Sequence, residues 1–314
     1  MHAVKGGTGL ATLFVLLSAL CFGAISTLVL VSTSSGAPLF TTLALRYFVA
    51  AAILMPYLVV RHTRNPLFTR DRAVRVGLAG GIFQALIAGI TLTALHWISA
   101  ATLGFLFYTY PAWVAFFAVV RHTESLDRTK LIALVLSLSG IAFIVGSPGA
   151  GSINPIGLAL ALGGAVLYAL YLPFIRKLQG DLPPSAAAAC VTTVASVIFV
   201  IIATTRGEFT LALPAKSWEA IVTLGLVCTV LAFVVFLRGL KMLGPVRTSI
   251  ISTIEPFFTA VLAFIVLGQP LTGRTMIGGV LIALAVLLLQ VGGTRANVVG
   301  TGIQRDNPAT DFAE

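Results

Sequence analysis

The stretch Val76–Val120, VGLAGGIFQALIAGITLTALHWISAATLGFLFYTYPAWVAFFAVV, runs for 45 residues without an Asp, Glu, Lys or Arg. A single helix crosses the hydrocarbon of a bilayer in about 20 residues. The stretch therefore reads as two membrane spans joined by a neutral turn near His96–Ser99. A second stretch of 45 residues, 131–175, is equally free of charge. Its turn is marked by Ser147-Pro148-Gly149-Ala150-Gly151-Ser152, a run of loop-forming residues. Working outward from these two pairs gives ten spans near 10–31, 38–60, 74–95, 98–120, 130–147, 155–176, 184–205, 217–239, 246–267 and 273–293.

Composition supports this reading. Hydrophobic residues make up 58% of the 314 and charged residues only 10%, and the mean hydropathy is +1.03. Soluble domains carry about a quarter charged residues, so lipid must solvate most of this chain. The net charge of +10 falls in short clusters between apolar runs, which fits membrane-flanking loops and not a nucleic-acid surface. Cys21, Cys190 and Cys228 all lie inside apolar runs with no metal-ligand spacing. Leu10–Val31 is too long and continuous for the core of a signal peptide, and Leu20 is too bulky for a lipoprotein cleavage site before Cys21. It reads as the first span.

Orientation follows from the loops. With the N-terminus inside, inner segments hold 16 Lys and Arg residues and outer loops hold 3 (Arg206, Lys216 and Arg274), leaving Arg46 within a span. Both termini are expected on the cytoplasmic side. Segment 1–9 is expected as a short cytoplasmic N-terminus and 294–314 as a disordered cytoplasmic tail.

The spans divide into two related sets of five, 10–147 and 155–293. Leu92-Thr93-Ala94-Leu95-His96-Trp97-Ile98-Ser99 matches Leu237-Arg238-Gly239-Leu240-Lys241-Met242-Leu243-Gly244, and Tyr110-Pro111 matches Glu255-Pro256, both at a shift of 145 residues. The same shift pairs Gly80 with Gly225, Leu86 with Leu231 and Leu126 with Leu271. Five is odd, so the second set must insert upside down relative to the first. The loops agree, because matching turns carry opposite charge bias. The expected fold is an all-α membrane protein of about ten helices arranged as two inverted five-helix repeats.

These features resemble the EamA-type transporters of the drug/metabolite transporter superfamily, over roughly residues 10–292. The resemblance is carried by the Leu92–Ala100 turn, by Leu45-Arg46-Tyr47-Phe48 in the second span, and by Ser252-Thr253-Ile254-Glu255-Pro256 in the ninth. Gly268-Gln269-Pro270-Leu271 looks like the family's Gly-Glu-x-Leu segment with Gln269 in place of the acid; Glu124 supplies the acid in the first half. Phe22 stands where many relatives carry Trp, and Tyr110 where the second half has Glu255. The resemblance implies export of a metabolite or amino acid across a bacterial plasma membrane, by one polypeptide without ATP. No phosphate-binding Gly-Lys-Ser/Thr loop is present, and no cofactor is expected.

Glu255 is the one acidic residue well inside a span, and an intramembrane carboxylate is a functional hypothesis by default. Thr248, Ser252, Glu255 and Thr259 fall on one helical face at i, i+4, i+7 and i+11. Pro256 cannot donate to the carbonyl of Ser252, nor Pro111 to that of Phe107, so both prolines mark helix kinks. Two readings stand for Glu255: a substrate- or proton-binding carboxylate, or a structural group at a proline kink. The matching first-half face carries Phe107, Tyr110 and Val114 with Trp113 beside it, either an aromatic wall for an amphipathic, aromatic or cationic substrate or ordinary packing. Arg46, Gln84, Thr91, Thr229, Tyr168 and Tyr171 are further polar candidates, each read as a cavity group or as an interhelical bond. Ser139-Gly140 and Gly278-Gly279 read as sites of close helix packing.

An intramembrane enzyme is disfavoured: no aspartate pair and no deep histidine lies in the spans. A non-transporting scaffold or receptor, or a channel-like facilitator, is the alternative to a transporter. The small-molecule substrate and the lipid bilayer are the expected partners, with protons as a candidate coupling ion.

Overall fold

The computed structural model describes residues 2–64, 69–94, 97–98, 103, 106–123, 126–145, 154–267 and 273–302. Helices dominate: α1 (His2–Ser34), α2 (Leu39–Arg64), α3 (Arg70–Ala94), α4 (Tyr110–Val120), α5 (Arg128–Val145), α6 (Pro155–Gln179) and α7 (Pro184–Thr205) come first. Then follow α8 (Ala215–Gly225), a π-helical turn (Leu226–Leu231), α9 (Ala232–Leu243), α10 (Pro245–Ser252), α11 (Glu255–Leu267) and α12 (Gly273–Gly302). Among the described residues, seven segments are long and apolar enough to cross a membrane, including Ala215–Leu243 and Pro245–Val266, each built from two of these helices. Tyr110–Val120 and Met276–Leu288 are shorter apolar helices, and α5 completes the set. The chain is an all-α membrane protein of about ten helices.

Local chemistry sets the boundaries. Asn154 caps α6 by accepting the Ile156 amide at 2.9 Å, with Pro155 at the first helical position. Between α9 and α10 the chain reverses at Gly244, whose φ of +83° only glycine adopts without strain. The turns expected near His96–Ser99 and Ser147–Ser152 fall partly or wholly outside the described residues, as do Glu124, Gly268–Leu271 and 303–314. At the C-terminal side α12 runs through Gly302.

Packing partners exchange between the two sets of spans. α1 packs on α8, α9 and α11, while α6 packs on α3 and α4; α2 lies against α7, and α5 against α12. The α5–α12 contact depends on Gly140. A Cβ there would lie 2.6 Å from Ile282 Cγ1 and 2.7 Å from the Gly278 carbonyl oxygen. Alanine gains about 1 kcal/mol over glycine in a helix interior, whereas overpacking costs about 1–3 kcal/mol. The carbonyl belongs to a helix backbone and cannot swing aside, so the clash should win. Gly140→Ala is expected to lower the melting temperature of the purified protein in detergent; an equal or higher value would show that α5 and α12 separate at no cost.

Candidate functional site

Spans four and nine are broken at equivalent places. The ninth ends one helix at Ser252, passes through Thr253–Ile254, and restarts at Glu255 with Pro256 in its first turn. The fourth turns at Tyr108–Thr109 and restarts at Tyr110 with Pro111 behind it. The two turns are again 145 residues apart. Each expected kink is thus a two-residue turn within its span. Tight bonds stitch them, Thr109 N to Leu106 O at 3.3 Å and Ile254 N to Ile251 O at 3.3 Å. A broken span places helix ends and side chains at mid-depth, where irregular backbone is tolerated only inside protein or beside a cavity.

Glu255 is half-buried at this break. The hydroxyl of Tyr108 faces its carboxylate, and the Arg46 guanidinium acts on it from farther off. Against its backbone lies α1: a Cβ on Gly23 would sit 3.1 Å from the Glu255 carbonyl oxygen. Across from it stands an aromatic group. Tyr110 meets Tyr168 edge-on with centroids 4.7 Å apart, Phe107 lies 5.5 Å from Tyr168 and 5.8 Å from Tyr110, and Tyr171 stacks on Tyr168 at 6.2 Å. Tyr47 closes the far side, stacked on Phe199 at 5.5 Å and accepting a hydrogen bond from Gln84 Nε2 at 3.1 Å. Five of the six tyrosines in the chain, Tyr47, Tyr108, Tyr110, Tyr168 and Tyr171, therefore gather within the bundle on the side of Glu255.

Arg46 is buried and makes no ion pair with Glu255. Its Nε donates to Thr229 Oγ1 at 2.7 Å, its second terminal nitrogen to the Cys228 carbonyl at 3.3 Å, and its guanidinium lies 5.2 Å from the Tyr47 ring centre. Both acceptors lie in the π-helical turn, where the ordinary i to i+4 ladder is interrupted. Thr229 in turn donates to Leu224 O at 2.9 Å. The arginine of span two thereby holds open the turn of span eight.

The remaining candidates separate into two groups. Thr248 and Ser252 are buried on α10; the Thr248 hydroxyl has no hydrogen-bond partner among the described residues, and Ser252 faces the hydroxyl of Tyr110, which itself reaches Ser249 O at 3.4 Å. Thr259 instead donates to Glu255 O at 3.1 Å, and Thr91 to Ile87 O at 2.8 Å, which commits both to their own helices. The Trp113 ring contacts Phe116 and Phe117, at 6.3 and 6.5 Å, apart from the tyrosine group. Tyr47 and Tyr108 were not singled out from sequence. The signal for Tyr108 was available: it is the residue 145 before Thr253 at the break. No group of His, Cys, Asp and Glu that would hold a metal occurs among the described residues.

A multi-pass helical bundle with mid-membrane helix breaks around a lone carboxylate has the architecture of a membrane transporter. The EamA-like transporter family matches residues 9–146 and again 155–291, and the chain belongs to that family. Among its relatives is the uncharacterized transporter YvbV of Bacillus subtilis, 25% identical over 69% of this chain and 72% of that protein. An uncharacterized transporter of Archaeoglobus fulgidus is 26% identical over 87% of this chain and 94% of that one. A solved structure described only as a protein superposes with a TM-score of 0.73 at 20% identity, covering 91% of this chain and 98% of the other. That likeness shows the shared fold.

Proposed function

We propose that this transporter exports a small amphipathic or aromatic metabolite, an amino acid or a related compound, by alternating access of two inverted five-helix repeats. The observation that carries the reading is the Glu255 carboxylate set at the break of span nine and faced by tyrosines from spans four and six. A carboxylate takes an ammonium, and aromatic faces take both an apolar ring and a cation. The free hydroxyl of Thr248 adds an orienting contact. The exchange of packing partners between spans 1–5 and spans 6–10 supports the pseudo-twofold arrangement, as do the two family matches of nearly equal length. The five-span count and the reversed charge bias of matching turns support its inversion in the membrane.

The family resemblance favours a bacterial plasma membrane, and the inner excess of Lys and Arg favours cytoplasmic termini. Spans four and nine form the moving walls, because their breaks let each span bend without losing further backbone bonds. Protons are the candidate coupling ion through Glu255. The test is an untargeted comparison of compounds released by cells that express the chain and by matched cells that do not. One chemical class containing an amine, an aromatic ring or both should rise in the medium with expression. No change in the medium, with the protein present in the membrane, would favour import or a scaffold role.

A further inference from the structure

The N-terminal end of α3 and the C-terminal end of α6 enclose a cleft of about 740 Å³, well apart from Glu255. Its charged lining is unevenly satisfied. Asp71 is ion-paired to Arg75 one turn along the same helix, so these two cancel. Arg72 and Lys177 line the same cleft, and neither side chain has a hydrogen-bond or ion-pair partner among the described residues. Two unpaired cations facing one concavity favour an anion between them. Thr69 accepts the Arg72 amide at 3.4 Å and opens α3 with its positive end at the cleft.

Among the described residues the rest of the lining is apolar. Phe174 and Leu178 form the wall on α6. On α3 the exposed residues Val74, Leu78, Ile82 and Leu86 recur every fourth position and continue from the cleft toward mid-membrane. A soluble anion has no use for such a stripe, whereas acyl chains do. The opposite end of the bundle lacks the arrangement: the 145-residue shift places Lys216, Ser217 and Ala220 at the positions of Asp71, Arg72 and Arg75.

We propose that this cleft binds the phosphate headgroup of an anionic phospholipid between Arg72 and Lys177, with its acyl chains along the α3 stripe. Basic pockets between spans on the cytoplasmic side take anionic headgroups for the same electrostatic reason. The test uses the full chain in nanodiscs of mixed phosphatidylglycerol and phosphatidylcholine, with retained lipid read by native mass spectrometry after release. Wild type should retain phosphatidylglycerol preferentially. The double variant Arg72→Gln, Lys177→Gln should retain roughly tenfold less or lower still, while Arg274→Gln at the other end should match wild type. Excess inorganic phosphate should leave the lipid in place. Equal retention by the double variant overturns the proposal; displacement by inorganic phosphate overturns it in favour of a soluble anion site. If the double variant does not reach the membrane, Lys177→Gln alone is read by the same two outcomes.

Discussion

Glu255→Gln is expected to reduce transport at least about tenfold while leaving the protein folded and inserted. Glutamine keeps the size of the side chain and a carbonyl oxygen toward Tyr108, so packing at the break is preserved. What disappears is the negative charge. A hydrogen bond to a charged group contributes about 1.5–3 kcal/mol, which corresponds to roughly 10- to 150-fold in affinity for an ammonium-bearing substrate. Flux into vesicles made from membranes of both proteins, at matched amounts, measures the loss. The same vesicles separate two roles. If Glu255 carries the coupling proton, an imposed pH gradient should accelerate wild type and have no effect on the variant. Undiminished pH-driven flux in Glu255→Gln would end the coupling idea and leave the residue as a substrate or structural contact.

The second large effect is on stability. Arg46→Ala should lower the melting temperature by roughly 3–5 °C, from the loss of about 2–3 kcal/mol. The truncation removes both donors that serve the π-helical turn, and it strands the Cys228 carbonyl in a buried setting. Thr229 keeps its bond to Leu224 O and offsets part of the loss. Arg46→Lys should recover only part of the stability, because one ammonium cannot reproduce the fixed spacing of guanidinium donors. A melting temperature unchanged in Arg46→Ala would show that the turn of span eight stands without the arginine.

The spans were legible because lipid leaves one unambiguous mark, long runs without charge, as in Val76–Val120. The breaks were half legible. Pro111 and Pro256 announced a weakness, yet a proline kinks some helices and interrupts others, and only the neighbouring turns decide which. Glu255 stood out as an acid in an apolar run. Its company did not, since Tyr47, Tyr108 and Tyr168 come from three different spans and nothing along the chain records that they converge. The π-helical turn was silent: Leu226-Val227-Cys228-Thr229-Val230-Leu231 contains neither Gly nor Pro and reads as ordinary helix. Thr259 and Thr91 show the opposite error, hydroxyls on a promising face that serve their own backbones.

The contact between Arg46 and the span-eight turn bears on how such a chain came to be one molecule. The two family-matched segments, 9–146 and 155–291, differ in what they contribute: the first brings the cation, the second its acceptors and the carboxylate. At the 145-residue shift Arg46 corresponds to Val191, and Glu255 to Tyr110. Two copies of the first segment would set Gln84 where Thr229 receives the guanidinium, and two copies of the second would leave that turn with no guanidinium at all. Neither pairing with itself reproduces the bond between Arg46 and Thr229. Expressed as separate fragments, the segments should assemble only as an unlike pair, so a single gene guarantees a stoichiometry that free halves would have to find by chance.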